Sequence, residues 1–352
     1  MHRSEGVTLA PRFCSTASQW HSGGQRAKLN IGTMAIKVLC GCAAWVMTAF
    51  PCKDQKRMFF FISLAVEGAL AGVLYSLIAL AFVVVYKASR IINFALGEFL
   101  MLAVLLVTAG VHALGLELAA AMVLACAGMF LFALLFNVLV LRHLVGGPLI
   151  SLLMVTLGVG AFIRGVAQFA SRSGVPSGIS LPIPSDPLAL NELSVPTDKL
   201  VAALIAALTI ALLAWFHQRS RTGVALRAIA DDQQVAMAVG IDVYRHLLIV
   251  WCMAGAICVL GGTLWTFVNG GGFGIGLIGL KIFPIVVIGG LDSIPGTIIA
   301  AMLIGVLESI ATGYLDPLFG GGCGLLVCYL VLVAMLFVRP FGLFGREKVQ
   351  RV

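Results

Sequence analysis

Charge is scarce in this sequence. Asp, Glu, Lys and Arg make up 11% of the 352 residues, against about 25% in soluble domains. The mean hydropathy of +1.07 leaves more apolar surface than a soluble core could hide. Catalytic signatures are missing too. No G-x-x-x-x-G-K-[ST] occurs, so the chain has no P-loop of its own for ATP, and H-E-x-x-H and G-x-S-x-G are also absent. The nine Cys form no C-x-x-C pair and mostly sit among Ala, Leu and Val like small hydrophobes, which argues against a disulfide framework or metal site. Gly274-Ile-Gly276-Leu-Ile-Gly279 has the letters of a dinucleotide loop, but no strand precedes it and no acid follows at the required distance. Close helix packing explains those glycines better, and no cofactor is implied. Lys and Arg exceed the acids, 23 to 15, yet they gather in short connections rather than in a stripe suited to a nucleic-acid backbone. The excess therefore reads as membrane topology.

What is abundant is long apolar runs. From Met58 they cover residues 58–86, 93–111, 118–141, 149–170, 199–216, 246–268, 275–290, 295–312 and 322–338. Helices of about 20 apolar residues cross a hydrocarbon layer of about 30 Å, so the expected fold is all-α, a polytopic transmembrane bundle of nine spans. The seventh run is short and is expected to be broken by Gly and Pro284. Lys87 and Arg90, then Arg142 and His143, then Arg219, Arg221, Arg227 and Arg245, and finally Arg339, Arg346, Lys348 and Arg351 should all face the cytoplasm.

Residues 1–57 stand apart. Residues 1–32 are polar and without periodicity, and Thr33–Phe50 is an apolar stretch carrying Lys37. It suits a signal-type core, a marginal extra span, or untranslated sequence upstream of a start at Met58; the last is favoured, because Lys53, Lys56 and Arg57 would otherwise lie on the wrong side. The transmembrane domain is then 58–345, with 346–352 as a cytoplasmic tail.

Two polar interruptions carry most of the information. The segment HQRSRTGVALRAIADDQQVAMAVGIDVYR, residues 217–245, places Leu226, Ile229, Ala230, Val235, Ala236 and Val239 at helical spacing, which predicts one or two short amphipathic helices along the membrane surface. Gln234-Val235-Ala236, with Gly240 after three more residues, is similar to the E-A-A-x-x-x-G motif of ABC-importer permeases. Gly can end a helix as a protruding knob, and Asp231 and Asp232 suit the positive start of that helix. An ordinary interfacial helix fits the same residues. The second interruption is Asn93-Phe94-Ala95-Leu96-Gly97-Glu98. A carboxylate at a span entrance must face protein or water, although Asn93 could simply cap a helix. Lys281, Glu67, Glu308 and Arg164 lie inside apolar runs and are functional candidates for the same reason. Arg164 is expected to stand outside any path.

The early span running into Asn93–Glu98 and the later span running into Asn269–Gly290 look loosely alike, and with five spans between them the halves would be inverted, with a site at their interface near the bilayer middle.

Four blocks in order, EGALAGVLYSLIALAFVVVYKASRIINFALGEFLML, RTGVALRAIADDQQVAMAVGIDVYR, GLKIFPIVVIGGLDSIPGTIIAAMLIGVLESIATGYL and VRPFGLFG, make residues 66–345 resemble the permease subunits of branched-chain amino acid ABC importers, specifically the subunit with the I-N-F-A-x-G-E signature. The resemblance implies transport rather than enzymatic activity. It also implies the bacterial inner membrane, a second homologous permease subunit, two cytoplasmic ATPases and a periplasmic or lipid-anchored solute-binding protein. Asn93, Phe94, Gly97, Glu98, Lys281 and Glu308 would line the path, and Asp231, Asp232, Gln234, Val235, Ala236 and Gly240 would meet the ATPase. Three departures stand out: Leu96 for the family's His, Lys87 for a Gly, and Asp292 for a Gly. Relatives on this framework also move urea or short amides. A stand-alone channel or ion-coupled carrier is the alternative, and a membrane-embedded enzyme using Glu98 or Glu308 as base a more distant one.

Overall fold

The computed structural model describes residues 55–90, 92–141, 149–170, 188–190, 193–231, 233–272, 274–339 and 342–345. The expectations for residues 1–54, for Asp232, for the basic connection at Arg142 and His143 and for the tail 346–352 lie outside the described residues.

Each of the nine apolar runs is helical. In chain order they are α1 (Gln55–Ser89), α2 (Leu96–His112), α3 (Leu118–Phe136, ending in a π-helical turn Asn137–Leu141), α4 (Leu149–Ala170) and α5 (Thr197–Arg219); then, after α6 (Arg221–Asp231) and α7 (Gln233–Ala238), come α8 (Val243–Asn269), α9 (Ile275–Gly289), α10 (Ile294–Phe319) and α11 (Cys323–Val338). Five of them are long and apolar enough to cross a membrane: Met58–Ser89, Leu118–Val140, Thr197–Arg219, Val243–Asn269 and Ile294–Phe319. Between α4 and α5 a small antiparallel hairpin pairs β1 (Leu188–Leu190) with β2 (Leu193–Val195), in register Leu188 to Val195.

The centre of the bundle is α1. Leu77, Ala79, Ala81, Val83 and Val85 are buried on every side of it, as expected for a helix with no polar face. It lies so close to α10 that a Cβ on Gly305 would come within 2.7 Å of the Gly72 Cα, and one on Gly68 equally close to the Val306 Cα. Small residues permit this backbone approach. The outer helices α3, α4, α5 and α11 instead leave Val123, Leu131, Phe162, Leu208 and Phe337 exposed. Together these form an apolar surface far too extensive for water, and lipid is its natural solvent.

The predicted break at Pro284 does not occur, because α9 runs unbroken from Ile275 to Gly289. Proline removes the N–H that the carbonyl four residues earlier would receive, and that carbonyl, Leu280, accepts instead from the Tyr329 hydroxyl of α11 at 3.2 Å. The real breaks lie before the helices. After α1 ends, Arg90 takes a left-handed φ of 57° and residues 92–95 are non-helical; after α8, Gly270 and Gly272 take φ of 82° and 132° before α9 begins. At about 1.5 Å per residue α8 is about 40 Å long, α2 about 25 Å and α9 about 22 Å, so α2 and α9 are well short of the length of α8. Their starts touch, Gly97 lying against Gly276 and Gly279.

Replacing Gly305 with Leu should cost more than the about 1–3 kcal/mol usual for core overpacking, because backbone is the obstruction. In detergent, its unfolding midpoint should fall well below that of Gly158→Leu, where nothing lies within 4 Å of the new Cβ. Equal midpoints would mean that α1 and α10 are not in backbone contact.

Candidate functional site

The starts of α2 and α9 meet at three glycines. A Cβ on Gly279 would lie 2.6 Å from the Gly97 Cα, and Gly97 packs still more tightly on the Gly276 carbonyl. The entry to α2 is built by Asn93, which is only 2% exposed and whose Oδ1 accepts from the Ala95 N–H at 3.0 Å, while its Nδ2 is buried with no hydrogen-bond partner. Asn93 thus makes a turn ahead of the helix rather than capping it directly. Phe94 packs its ring 5.2 Å from that of Phe283 in α9. Leu96, where the family pattern has His, is fully buried.

Glu98 sits in the first turn of α2, where the helix dipole favours an acid. Its Oε1 accepts from Arg164 Nη2 at 2.6 Å. Arg164, expected to stand apart from the path residues, is therefore joined to one of them, and the same guanidinium would lie 3.1 Å from a Cβ on Gly276. No local spacing rule links residues 66 positions apart, so the pair is invisible to any reading of neighbouring residues. Glu98 is largely enclosed, with its side chain 14% exposed, but Arg164 is 40% exposed. A charge that exposed within an apolar bundle requires water or another protein surface rather than lipid.

A second pair lies on the other side of α9. Lys281 Nζ donates to Glu308 Oε1 at 2.5 Å and to the Tyr75 hydroxyl at 3.1 Å, and stands 5.3 Å over the Tyr75 ring. Glu308 Oε2 is buried without a hydrogen-bond partner. Glu308, Thr312 and Asp316 follow one another at four-residue spacing on a single face of α10. With Lys281, Gly274 and Leu277 they line a pocket of about 350 Å³. Leu277 and Leu280 are exposed on α9 between the two charged pairs. At about 100° per residue, Gly276 and Lys281 flank them on either side. The outward strip of α9 is thus apolar in the middle and charged at both edges.

The polar segment forms two short helices, as its periodicity predicted. Ile229, Ala236 and Val243 pack into a small cluster of their own, against which Ile241 rests. α7 closes with Gly240 at φ 92°, its N–H bonded to the Met237 carbonyl at 3.0 Å, and the Ile241 N–H bonded to Ala236 at 3.0 Å. This is the paired closure of a Schellman motif. Val235, Met237 and Val239 are exposed at its tip. Asp231 is not at the start of the knob helix as expected but is the last residue of α6, and α7 begins at Gln233. Gln234 lies in α7, and its side chain is outside the described residues.

Removing one member of the Glu98–Arg164 pair strands the other in an apolar setting, whereas removing both does not. Glu98→Gln and Arg164→Gln should each lower the unfolding midpoint in detergent more than the double variant does. A double variant at the sum of the two losses would mean that the pair is not coupled.

Residues 64–338 match the family described as branched-chain amino acid transport system, permease component. The high-affinity branched-chain amino acid transport system permease protein BraD of Pseudomonas aeruginosa is 26% identical over 312 residues, 84% of this chain and 99% of that one. The corresponding LivH of Escherichia coli K12 is 25% identical over 315 residues, covering 85% and 100%. A probable branched-chain amino acid transport permease protein LivH of Methanocaldococcus jannaschii is 34% identical over 131 residues, 36% of this chain and 42% of that one. The family match takes in the knob and both ion-paired junctions, and this multi-pass chain belongs to the branched-chain amino acid transport permease family.

Proposed function

We propose that this chain is one membrane half of an ATP-driven importer that carries branched-chain amino acids or a related small polar solute across the bacterial inner membrane. The observation that carries the reading is the meeting of two part-length helices, α2 and α9, inside the bundle, with an ion pair on each side of α9. Discontinuous helices that start near mid-depth present N–H groups and positive dipole ends where a solute can use them.

In this reading residues 58–345 are the permease domain and 346–352 a cytoplasmic tail. The end of the bundle bearing Arg90, Arg219, Arg221 and Arg245 faces the cytoplasm. Asn93, Phe94, Gly97, Glu98, Lys281 and Glu308 belong to the path or its immediate support, and Arg164 joins them through Glu98. The outward strip of α9, bordered by charge, suits a surface completed by a second homologous permease subunit. Substrate would arrive from a periplasmic or lipid-anchored binding protein. Two cytoplasmic ATPases would take the knob of Asp231, Asp232, Gln234, Val235, Ala236 and Gly240 into a cleft. A P-loop is absent from the sequence, so the energy must come from such a partner, and rocking of the halves would expose the path to one side at a time.

A β-branched residue is badly strained at the φ of Gly240. With its partner subunits in proteoliposomes, Gly240→Ile should reduce ATP-dependent leucine uptake by about tenfold, a coupling loss of ordinary size, while the assembled complex persists on size exclusion. Unchanged uptake would sink the motor contact, and leucine uptake by the wild-type chain without ATP would favour the stand-alone carrier.

A further inference from the structure

Arg90 stands where three separate parts of the molecule come together. It ends α1, its N–H reaching the Tyr86 carbonyl at 2.8 Å, and it is the one non-glycine residue with positive φ among the described residues. Such a conformation is costly for a side-chain-bearing residue and persists only where the surroundings hold it. The surroundings are specific. Nη1 donates to both oxygens of Asp292 at 2.7 and 2.9 Å, and Nε and Nη2 both donate to the carbonyl of Ala230, the former at 3.2 Å. That carbonyl belongs to the last turn of α6, where helix carbonyls lack partners and a cation is favoured.

Each partner of the guanidinium leads somewhere. Ala230 follows Ile229, which packs on Ala236 in the knob helix. Asp292 lies in the turn from α9 to α10, which closes on itself through the Ser293 N–H to the Gly290 carbonyl at 2.9 Å. That turn follows α9 directly and is joined to its last turn by the Gly290 N–H, which donates to the Val286 carbonyl at 3.0 Å. A displacement of Asp292 therefore carries α9 with it, and with α9 the residues Gly276 and Lys281. Forward along the chain, Arg90 precedes Asn93 and Phe94, whose contacts with Ala95 and Phe283 set the start of α2.

We propose that Arg90 is a positioning residue that transmits movement of the knob to both part-length helices, with Asp292, where the family pattern has Gly, as this chain's own acceptor. Planar guanidinium geometry matters because one side chain must serve a carboxylate and a carbonyl at once, which an ammonium does poorly. The inference rests on the importer reading above.

The test uses the complete transporter in proteoliposomes, with leucine uptake and ATP hydrolysis measured together. Arg90→Gln should leave hydrolysis nearly intact while leucine moved per ATP falls about tenfold, and Arg90→Lys should recover part of that ratio. Asp292→Asn, which keeps shape and an acceptor oxygen, should lower the ratio less than Arg90→Gln. The exchanged pair Arg90→Asp with Asp292→Arg restores the ion pair but cannot donate to Ala230, and should stay uncoupled. A wild-type ratio in Arg90→Gln, whether both activities hold or fall in step, would overturn the proposal. So would full recovery in the exchanged pair, or a wild-type ratio in Asp292→Asn should Arg90→Gln fail to assemble. ATP-independent uptake by the unaltered transporter would instead overturn the importer reading.

Discussion

Hydrocarbon offers no hydrogen bonds, so each interruption of a helix inside this bundle has to be closed by the protein itself. That requirement accounts for many of the polar side chains and tight turns. Asn93 receives the Ala95 N–H where α2 begins, Tyr329 takes over the carbonyl that Pro284 leaves open, and the N–H groups of Leu343 and Phe344 meet the end of α9. Arg90 does the same for α6 at the Ala230 carbonyl. Breaks closed in this way let two helices begin part way through the bundle without exposing bare peptide groups to lipid.

The same solvent governs the charges. An isolated ion among apolar helices is expensive, and the ions within the bundle have partners: Lys199 with Glu67, Lys281 with Glu308, Arg164 with Glu98 and Arg90 with Asp292. Pairing lowers the cost of burial without making these bridges strong sources of stability, since desolvation offsets much of the attraction. Their value lies in fixing which faces meet. Lys281–Glu308 joins the consecutive helices α9 and α10 while the other three bridge parts distant in sequence, and the two on either side of α9 leave that helix with a charged margin beside an apolar strip.

Periodicity and composition were enough to find the nine apolar helices, the amphipathic pair α6 and α7, and the closure at Gly240, because all of these are local. A left-handed glycine after a helical run can be recognised from its neighbours. What escaped was non-local. Nothing in the residues around Pro284 shows that a tyrosine 45 positions later relieves it, and nothing around Arg164 shows that it reaches Glu98. Asp231 was misplaced for a subtler reason: the apolar rhythm of 226–239 is continuous through both helices, so periodicity alone could not divide α6 from α7. The closing block VRPFGLFG was recognised by resemblance, but its physical use, completing α9, became visible only once the two segments lay side by side.

That last contact has a consequence for biosynthesis. A chain made from its N-terminus produces α1, then α9 and α10, before residues 342–345. Until then the carbonyls of Ile288 and Gly289 lack the N–H groups that later bind them. The helix whose start forms the inner junction is thus finished by a segment made only after α10 and α11, so its far end stays open while the helices around it are being produced.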